Sequence, residues 1–244
     1  PEVLGPQCGS PPSGPGPIPP VASGLSLSKP RAAPAPSPGS PLIHSSRHEL
    51  RVVGPYRLDL TVSVLRRLST NSVDVLTAEG HYLRALSAPS GPVIVRVAQT
   101  GPEMLTVTID GTAFDQERIL ALVGRMLGAD RDLTDFGRAA ATLPWLSPLA
   151  LRMRGVKPPR YASLWEAFVN VIAFQQLSLQ SATAIVRRLI LAFGRSIQSD
   201  GVLLRTFPNP EDVVAAKESE LRATGLSAGK AATLRNAGER LASG

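Results

Sequence analysis

The sequence of 244 residues contains a single cysteine, Cys8, and only three histidines, His44, His48 and His81. One cysteine excludes a disulfide within the chain, which fits a reducing compartment. These few side chains cannot supply a zinc-binding set of cysteines and histidines, so no metal is expected. No other cofactor is expected either. No segment approaches the run of about 18 apolar residues that a membrane helix needs.

Acidic residues are also in deficit, with 19 Asp and Glu against 26 Lys and Arg, which gives a net charge of +7. Such a balance favours an anionic partner such as nucleic acid, although a basic composition also occurs in proteins that bind nothing acidic. The hydrophobic fraction of 43% is typical of a globular protein. The length suits one large domain or two small ones.

Proline is concentrated at the N-terminal end, where residues 1–46 hold 13 of the 23 prolines. We predict a disordered tail over residues 1–49, because such a composition buries too little apolar surface to offset the entropy of ordering. His44 and His48 lie in this tail, four residues apart. We interpret them as part of a solvated linker rather than as a metal site.

Alternating apolar residues follow the tail. Residues 58–64 and 105–109 alternate apolar and polar side chains, and the valines of residues 93–97 repeat the same spacing. A period of two residues is typical of a half-buried strand. The pattern predicts a small antiparallel α+β domain over residues 50–112, with a helical turn over residues 63–69.

Helical patterns begin after Asp115, and residues 113–244 are predicted to form a helical domain. Apolar residues over 119–127 recur with the period of an amphipathic helix. Residues 164–193 are apolar on too many sides for the neighbouring helices to cover. We therefore expect exposed apolar surface and self-association.

Capping residues set the ends of the predicted helices. Ser163 and Glu166 form a capping-box pattern at the start of a helix predicted over residues 164–177. The segment 209–212 combines asparagine, proline and two acids, which is typical of a helix start. This second helix is predicted to end at Gly225.

One short motif matches a hydrolase pattern. Residues 225–229 read Gly-Leu-Ser-Ala-Gly, the letters of a nucleophile elbow, and Ser227 with Lys230 also fits S-x-x-K. An elbow requires a strand before it and a histidine after it, whereas all histidines here lie upstream. Capping between two helices explains the motif better.

A basic segment precedes the 164–177 helix. Residues 152–160 carry four cations and no acid. The segment contains two prolines, and it could contact a phosphate backbone or serve as a solvated interdomain linker. Its cations are Arg152, Arg154, Lys157 and Arg160.

Two adjacent amides, Gln175 and Gln176, stand at the end of a strongly apolar helix and before Leu177 and Ser178. One interpretation is that they cap helix carbonyls and connect to the next helix, which begins at Ser178. The other is that they form a polar finger that inserts into nucleic acid.

The segment RGVKPPRYASLWEAFVNVIAFQQLSLQSATAIVRRLILAFG, with the later GLSAGKAATLRNAGERLASG, resembles the 3-methyladenine DNA glycosylase II family of helix-hairpin-helix glycosylases. The resemblance covers about residues 51–244 and is strongest from Arg154 on. It implies an α+β fold: a small antiparallel sheet domain, similar to half of the TATA-binding protein, followed by an all-helical glycosylase domain.

The resemblance implies an enzyme, monomeric when complete, that flips alkylated purines out of double-stranded DNA and hydrolyses their N-glycosidic bonds. Gln176 would wedge into the gap left by the flipped nucleotide, and Gln175 would border it. Expected DNA-binding residues are Gln175, Gln176, Leu177, Ser178, Arg154, Lys157 and Arg160. An aromatic pocket would bind a cationic base, while Trp165 and Phe174 are expected in the core. The implied location is the bacterial cytoplasm, at the nucleoid.

The family's L-x-x-L-x-G-[IV]-G hairpin and the catalytic aspartate that follows it do not occur in the sequence. No residue of this chain is therefore assigned the catalytic role, and both elements are expected beyond Gly244. On this interpretation the chain is an inactive part of a glycosylase. The alternative is a catalytically silent helical module that binds DNA or protein.

Overall fold

A computed structural model describes residues 44–67 and 71–242, which form an antiparallel sheet followed by helices. The predicted α+β class is confirmed. The strands are β1 His44–Arg51, β2 Val75–Leu76, β3 Tyr82–Ala88, β4 Gly91–Gly101, β5 Met104–Gly111, β6 Ser196–Ser199 and β7 Val202–Arg205. The helices are α1 Leu58–Arg66, α2 Gln116–Met126, α3 Thr134–Ala141, α4 Ser147–Arg152, α5 Leu164–Phe174, α6 Leu179–Phe193, α7 Pro210–Ala215, α8 Glu218–Ala223 and α9 Ala228–Ala242.

The five-stranded sheet has the order β1-β5-β4-β3-β2, and every neighbouring pair is antiparallel. The alternating valines of β4 and the alternating apolar residues of β5 are buried, as their spacing predicts. They pack with apolar residues of α1 and α2 in one core. A second core lies among α5, α6, α7 and α9.

Two predictions at the N-terminal end are wrong. Residues 58–64 form most of α1 instead of a strand, because Leu58, Thr61 and Val62 lie on one helical face and all are buried. Residues 44–49 form part of β1, which pairs along its whole length with β5. Residues 1–43, the remainder of the predicted tail, lie outside the described residues.

The helical part contains further differences from the prediction. The helix expected over residues 164–177 ends at Phe174, so both glutamines lie outside it. The helix expected to run from Pro210 to Gly225 is divided into α7 and α8, because Ala216 and Lys217 adopt extended backbone angles. The β6–β7 hairpin was not predicted; its Leu204 is buried against β3.

A buried ion cluster joins the sheet to α5. The Arg84 guanidinium of β3 donates to Asp74 Oδ1 at 2.6 Å and to Glu166 Oε2 at 2.5 Å. Tyr82 Oη donates to Asp74 Oδ1 at 2.8 Å. Burial raises the pKa of the Glu166 carboxyl, while the guanidinium opposes that shift. The capping box is therefore incomplete: Ser163 Oγ accepts the Glu166 N–H, but the carboxylate points toward Arg84.

One face of α5 is apolar and exposed. Leu164 is 62% exposed and Val171 is 56% exposed, with Phe168 between them on the same face. We expect the protein to self-associate through this face. Size-exclusion chromatography with light scattering should show concentration-dependent association that Leu164→Glu with Val171→Glu reduces. A monodisperse monomer at high protein concentration would contradict this prediction.

Candidate nucleic-acid interface

The Gln–Gln loop, residues 175–178, connects α5 to α6 and projects into solvent. Gln175 leaves the helix with ψ of 128°, and Gln176 has a positive φ of 55°. A left-handed backbone is uncommon for a residue other than glycine. This backbone conformation turns the chain sharply. The next helix, α6, therefore begins at Leu179, only five residues after α5 ends at Phe174.

The two glutamine side chains do not cap the helices. Both residues are exposed, and neither side chain forms a hydrogen bond with the part of the chain that the structure describes. Ser178 caps α6 instead, because its Oγ accepts the Ser181 N–H at 3.2 Å. Leu177 is also exposed, beside the two amides. The loop therefore presents unpartnered amides and an apolar side chain to solvent.

Lys230 of α9 holds the start of this loop. Its Nζ donates to the Gln175 carbonyl at 2.7 Å and to the Ala173 carbonyl at 3.2 Å. These carbonyls lie at the C-terminal end of α5, where backbone acceptors lack partners within the helix and a cation is favourable. Lys230 thus connects the two sequence motifs on which the resemblance depends.

The Gly-Leu-Ser-Ala-Gly segment is a helix–helix connection. Gly225 has φ of 100°, which ends the α8 turn, and Leu226 is buried in the helical core. Ser227 Oγ accepts the Lys230 N–H at 3.3 Å and so caps α9. A helical segment, α8, precedes it, and not a strand, as the capping interpretation predicts.

The basic segment is only partly available to a ligand. Arg154 and Arg160 are exposed, in agreement with a surface role. Lys157 is 1% exposed, and its Nζ donates to the Arg131 carbonyl at 2.6 Å. Burial lowers the pKa of its ammonium group. The prediction that Lys157 contacts DNA is therefore wrong for this structure, because its cation already binds the protein.

A cleft that the sequence did not predict lies beside the Gln–Gln loop, between the end of α1 and helices α5 and α6. Arg67 lies over the Phe174 ring, with its guanidinium carbon 4.4 Å from the ring centre. Arg67 Nη1 donates to Asn170 Oδ1 at 3.2 Å, and Nη2 donates to the Tyr161 hydroxyl. We name this feature the Arg67 cleft. No sequence pattern pairs Arg67 with residues about a hundred positions away.

The two aromatic residues singled out in the sequence have different environments. Trp165 is buried, and its Nε1 donates to the Pro208 carbonyl at 2.8 Å, so it belongs to the core as predicted. Phe174 was expected in the core as well. It packs against the helical core on one side, but it also lines the Arg67 cleft.

Within residues 44–67 and 71–242, no group of three or more His, Cys, Asp or Glu side chains is arranged to hold a metal ion. No helix in the same ranges has both the length and the apolar character to cross a membrane.

Residues 169–242 match the HhH-GPD superfamily of base excision DNA repair proteins. Among curated proteins, the chain is 27% identical over 136 residues to a probable bifunctional transcriptional activator/DNA repair enzyme AlkA of Mycobacterium tuberculosis. That match covers 55% of this chain but only 27% of the relative. The chain therefore corresponds to a minor part of that protein.

Two solved structures share the fold. A 3-methyladenine DNA-glycosylase from Archaeoglobus fulgidus has a TM-score of 0.65 at 21% identity, over 78% of this chain and 66% of that one. A Clostridium acetobutylicum 8-oxoguanine glycosylase/lyase, solved with double-stranded DNA, has a TM-score of 0.58 at 15% identity. The match covers 83% of this chain and 65% of the glycosylase/lyase chain. At these identities the likeness supports the fold alone.

Proposed function

We propose that this chain, whose residues 169–242 match the HhH-GPD superfamily, provides the base-flipping and DNA-binding part of a DNA N-glycosylase. The proposed partner is double-stranded DNA that contains a damaged purine. Alkylated purines are the proposed substrates, as the resemblance to the 3-methyladenine family implies.

The main support for this proposal is that the two glutamine side chains of the Gln–Gln loop are exposed and form no hydrogen bonds with the described residues. A side chain that fills the gap left by a flipped nucleotide must be exposed and free of bonds to its own protein. Gln175 and Gln176 meet both conditions within the described residues. Extruding a base costs a few kcal/mol of stacking and pairing, and a filler residue offsets part of that cost.

Gln176 is suited to the wedge position for a second reason. Its left-handed backbone places it at the sharpest point of the loop, between two helices whose ends are fixed by Lys230 and Ser178. A fixed loop backbone favours insertion, because a mobile loop would lose conformational entropy when it enters the duplex.

The second candidate function is a catalytically silent module that binds DNA or protein. It is favoured by the ion pairs that the two carboxylates of the Arg67 cleft form with Arg84. Asp74 and Glu166 both bind Arg84, so neither is free to stabilise a cationic sugar or to activate water. Release of methylated purines from alkylated DNA by the full-length protein supports the glycosylase, whereas DNA binding without release supports the silent module.

The proposal predicts a lesion-dependent effect of Gln176→Ala. We expect this change to weaken binding to a duplex with an abasic-site analogue by about fivefold, since the wedge acts only when a nucleotide is out of the stack. Binding to undamaged duplex should remain nearly unchanged. Fluorescence anisotropy with the two duplexes at the same salt concentration measures both affinities.

Arg154→Ala and Arg160→Ala are the matched controls. Both side chains are exposed cations, and a phosphate contact should weaken both duplexes alike and reduce the slope of affinity against salt. Equal losses on both duplexes for Gln176→Ala would remove the wedge role and, with it, the main support for the proposed function.

A further inference from the structure

A cleft that contains none of the proposed DNA contacts runs along the free edge of β3. Along this edge β2 pairs only with the first two residues of β3, and Thr206 then forms a single bridge with Ala85. Pro208 and Pro210 follow, and a proline has no N–H with which to extend such pairing. The segment Leu86–Ala88 therefore has no strand beside it on this side within the described residues. We name this space the β3 cleft.

The β3 cleft is too large to be a packing defect. Its volume is about 470 Å³, whereas protein interiors leave few voids larger than a water molecule. Its walls combine buried apolar residues of both cores, among them Val93 of β4, Ile119 of α2 and Trp165 of α5. The Trp165 ring is fixed, because its Nε1 donates to the Pro208 carbonyl of the same lining. A cleft of this volume with a mainly apolar lining is typical of a small-molecule site.

The charged side chains of the β3 cleft balance one another. Two are cations, Arg84 and Arg118, and two are carboxylates, Glu166 and Asp115. Glu166 already forms an ion pair with Arg84. The cleft therefore has no net charge that could offset the dehydration of a phosphate, carboxylate or ammonium group. This balance favours an uncharged ligand.

Two polar groups at the cleft lack a partner. Arg84 uses Nη1 and Nη2 to bind Asp74 and Glu166, but its buried Nε has no hydrogen-bond partner among the described residues. The Asn209 side chain does not cap α7, and it forms no other hydrogen bond with the part of the chain that the structure describes. Both groups can donate, and a buried donor without a partner costs free energy. A ligand with a carbonyl or ether oxygen would supply the acceptor.

We propose that the β3 cleft binds an uncharged, mainly apolar molecule of about the size of a bicyclic aromatic compound that carries a hydrogen-bond acceptor. The site is separate from the proposed DNA contacts. It lies at the start of α5, whereas the Gln–Gln loop follows the end of that helix, and its 11 residues span about 16 Å. The inference therefore does not depend on the proposed glycosylase function.

The probe for this site is prodan, an uncharged naphthalene ketone whose emission shifts to the blue in an apolar environment. Titration with the whole chain should produce this shift with a Kd on the order of 10–100 µM. N-phenyl-1-naphthylamine should displace prodan. The compound 8-anilinonaphthalene-1-sulfonate has the same rings with an added sulfonate, and it should displace prodan at least about tenfold less well. Equal displacement by the two compounds would overturn the uncharged ligand class.

Ala162→Phe and Ala88→Phe each add a ring to the cleft, because both alanines line it. Each change should weaken prodan binding by about tenfold or more, while circular dichroism shows whether the variant is folded. Ala139→Phe at an exposed position of α3 is the matched control and should leave binding unchanged. Leu164→Glu with Val171→Glu should also leave it unchanged, because those side chains form the exposed face of α5. Prodan binding that the folded cleft variants retain, or that the α5 variant abolishes, would overturn the proposal.

Asn209→Ala tests the acceptor without filling the cleft, and it removes no helix cap. It should weaken prodan binding by about threefold and leave N-phenyl-1-naphthylamine, which has no carbonyl group, unaffected. An unchanged affinity for prodan would overturn the acceptor. Saturation with the abasic-site duplex should leave prodan bound. Displacement of prodan by the duplex would assign the cleft to the DNA-binding surface and overturn the separate site.

Discussion

Arg84→Met is expected to lower the free energy of unfolding by about 3–5 kcal/mol, the usual cost of removing one member of a buried ion pair. The Arg84 side chain is 2% exposed, and it is the cation that both Asp74 and Glu166 bind. Without it, two carboxylates remain buried between the sheet and α5. Urea denaturation followed by circular dichroism measures the loss.

The loss should depend on pH. Burial raises the folded-state pKa of Glu166, so protonation of this group favours the folded state. The corresponding stability is present below the unfolded pKa of about 4.3 and is lost as pH rises through the folded-state value. Without Arg84 the main contribution that opposes this rise in the pKa of Glu166 is lost. The difference between wild type and Arg84→Met should therefore be smaller at acidic than at alkaline pH.

Arg96→Met on the neighbouring strand provides the control. Arg96 forms an ion pair with Asp200 in which the two side chains are 31% and 60% exposed. Exposed pairs contribute about 0–1 kcal/mol. If Arg84→Met destabilised the protein no more than this control does, the ion cluster would not be what holds α5 against the sheet.

Lys230→Met is expected to weaken binding to the abasic-site duplex by about tenfold or more, because it removes two charge-assisted hydrogen bonds at once. The Ala173 and Gln175 carbonyls would lose their cation, and the Gln–Gln loop would become more mobile. Hydrogen exchange at the backbone amides of residues 175–177 should accelerate. Arg235→Met on the same helix is the control, because the Arg235 side chain forms no hydrogen bond within residues 44–67 and 71–242.

Lys230→Arg tests whether Lys230 acts by positioning the Gln–Gln loop or only by attracting the DNA phosphates with its charge. An arginine can still donate to the carbonyls at the end of α5, so it should restore part of the affinity for the abasic-site duplex and part of the exchange protection. If Lys230→Met instead weakened damaged and undamaged duplexes equally without altering exchange in the loop, Lys230 would be an ordinary phosphate contact.

The sequence by itself determined the elements whose signals are local. The spacing of apolar residues predicted β4, β5 and α2, because in each segment the residues that recur with the period of the element are the buried ones. Ser163 and Ser227 were predicted caps, and each accepts a backbone N–H near the start of its helix. The Gln–Gln junction was also recognisable, because two amides interrupt an apolar run.

Only the tertiary structure decided the features that depend on distant partners. The alternation of residues 58–64 predicted a strand, but these residues form a helix that packs against the sheet. The polar strand β1 exists because β5 supplies its hydrogen bonds. Lys157 lies in a basic segment that the sequence placed at the surface, yet its ammonium group donates a hydrogen bond to the Arg131 carbonyl. Arg67 meets Asn170 and Phe174 only after the chain folds, since contacts over such separations leave no periodic signal in the sequence.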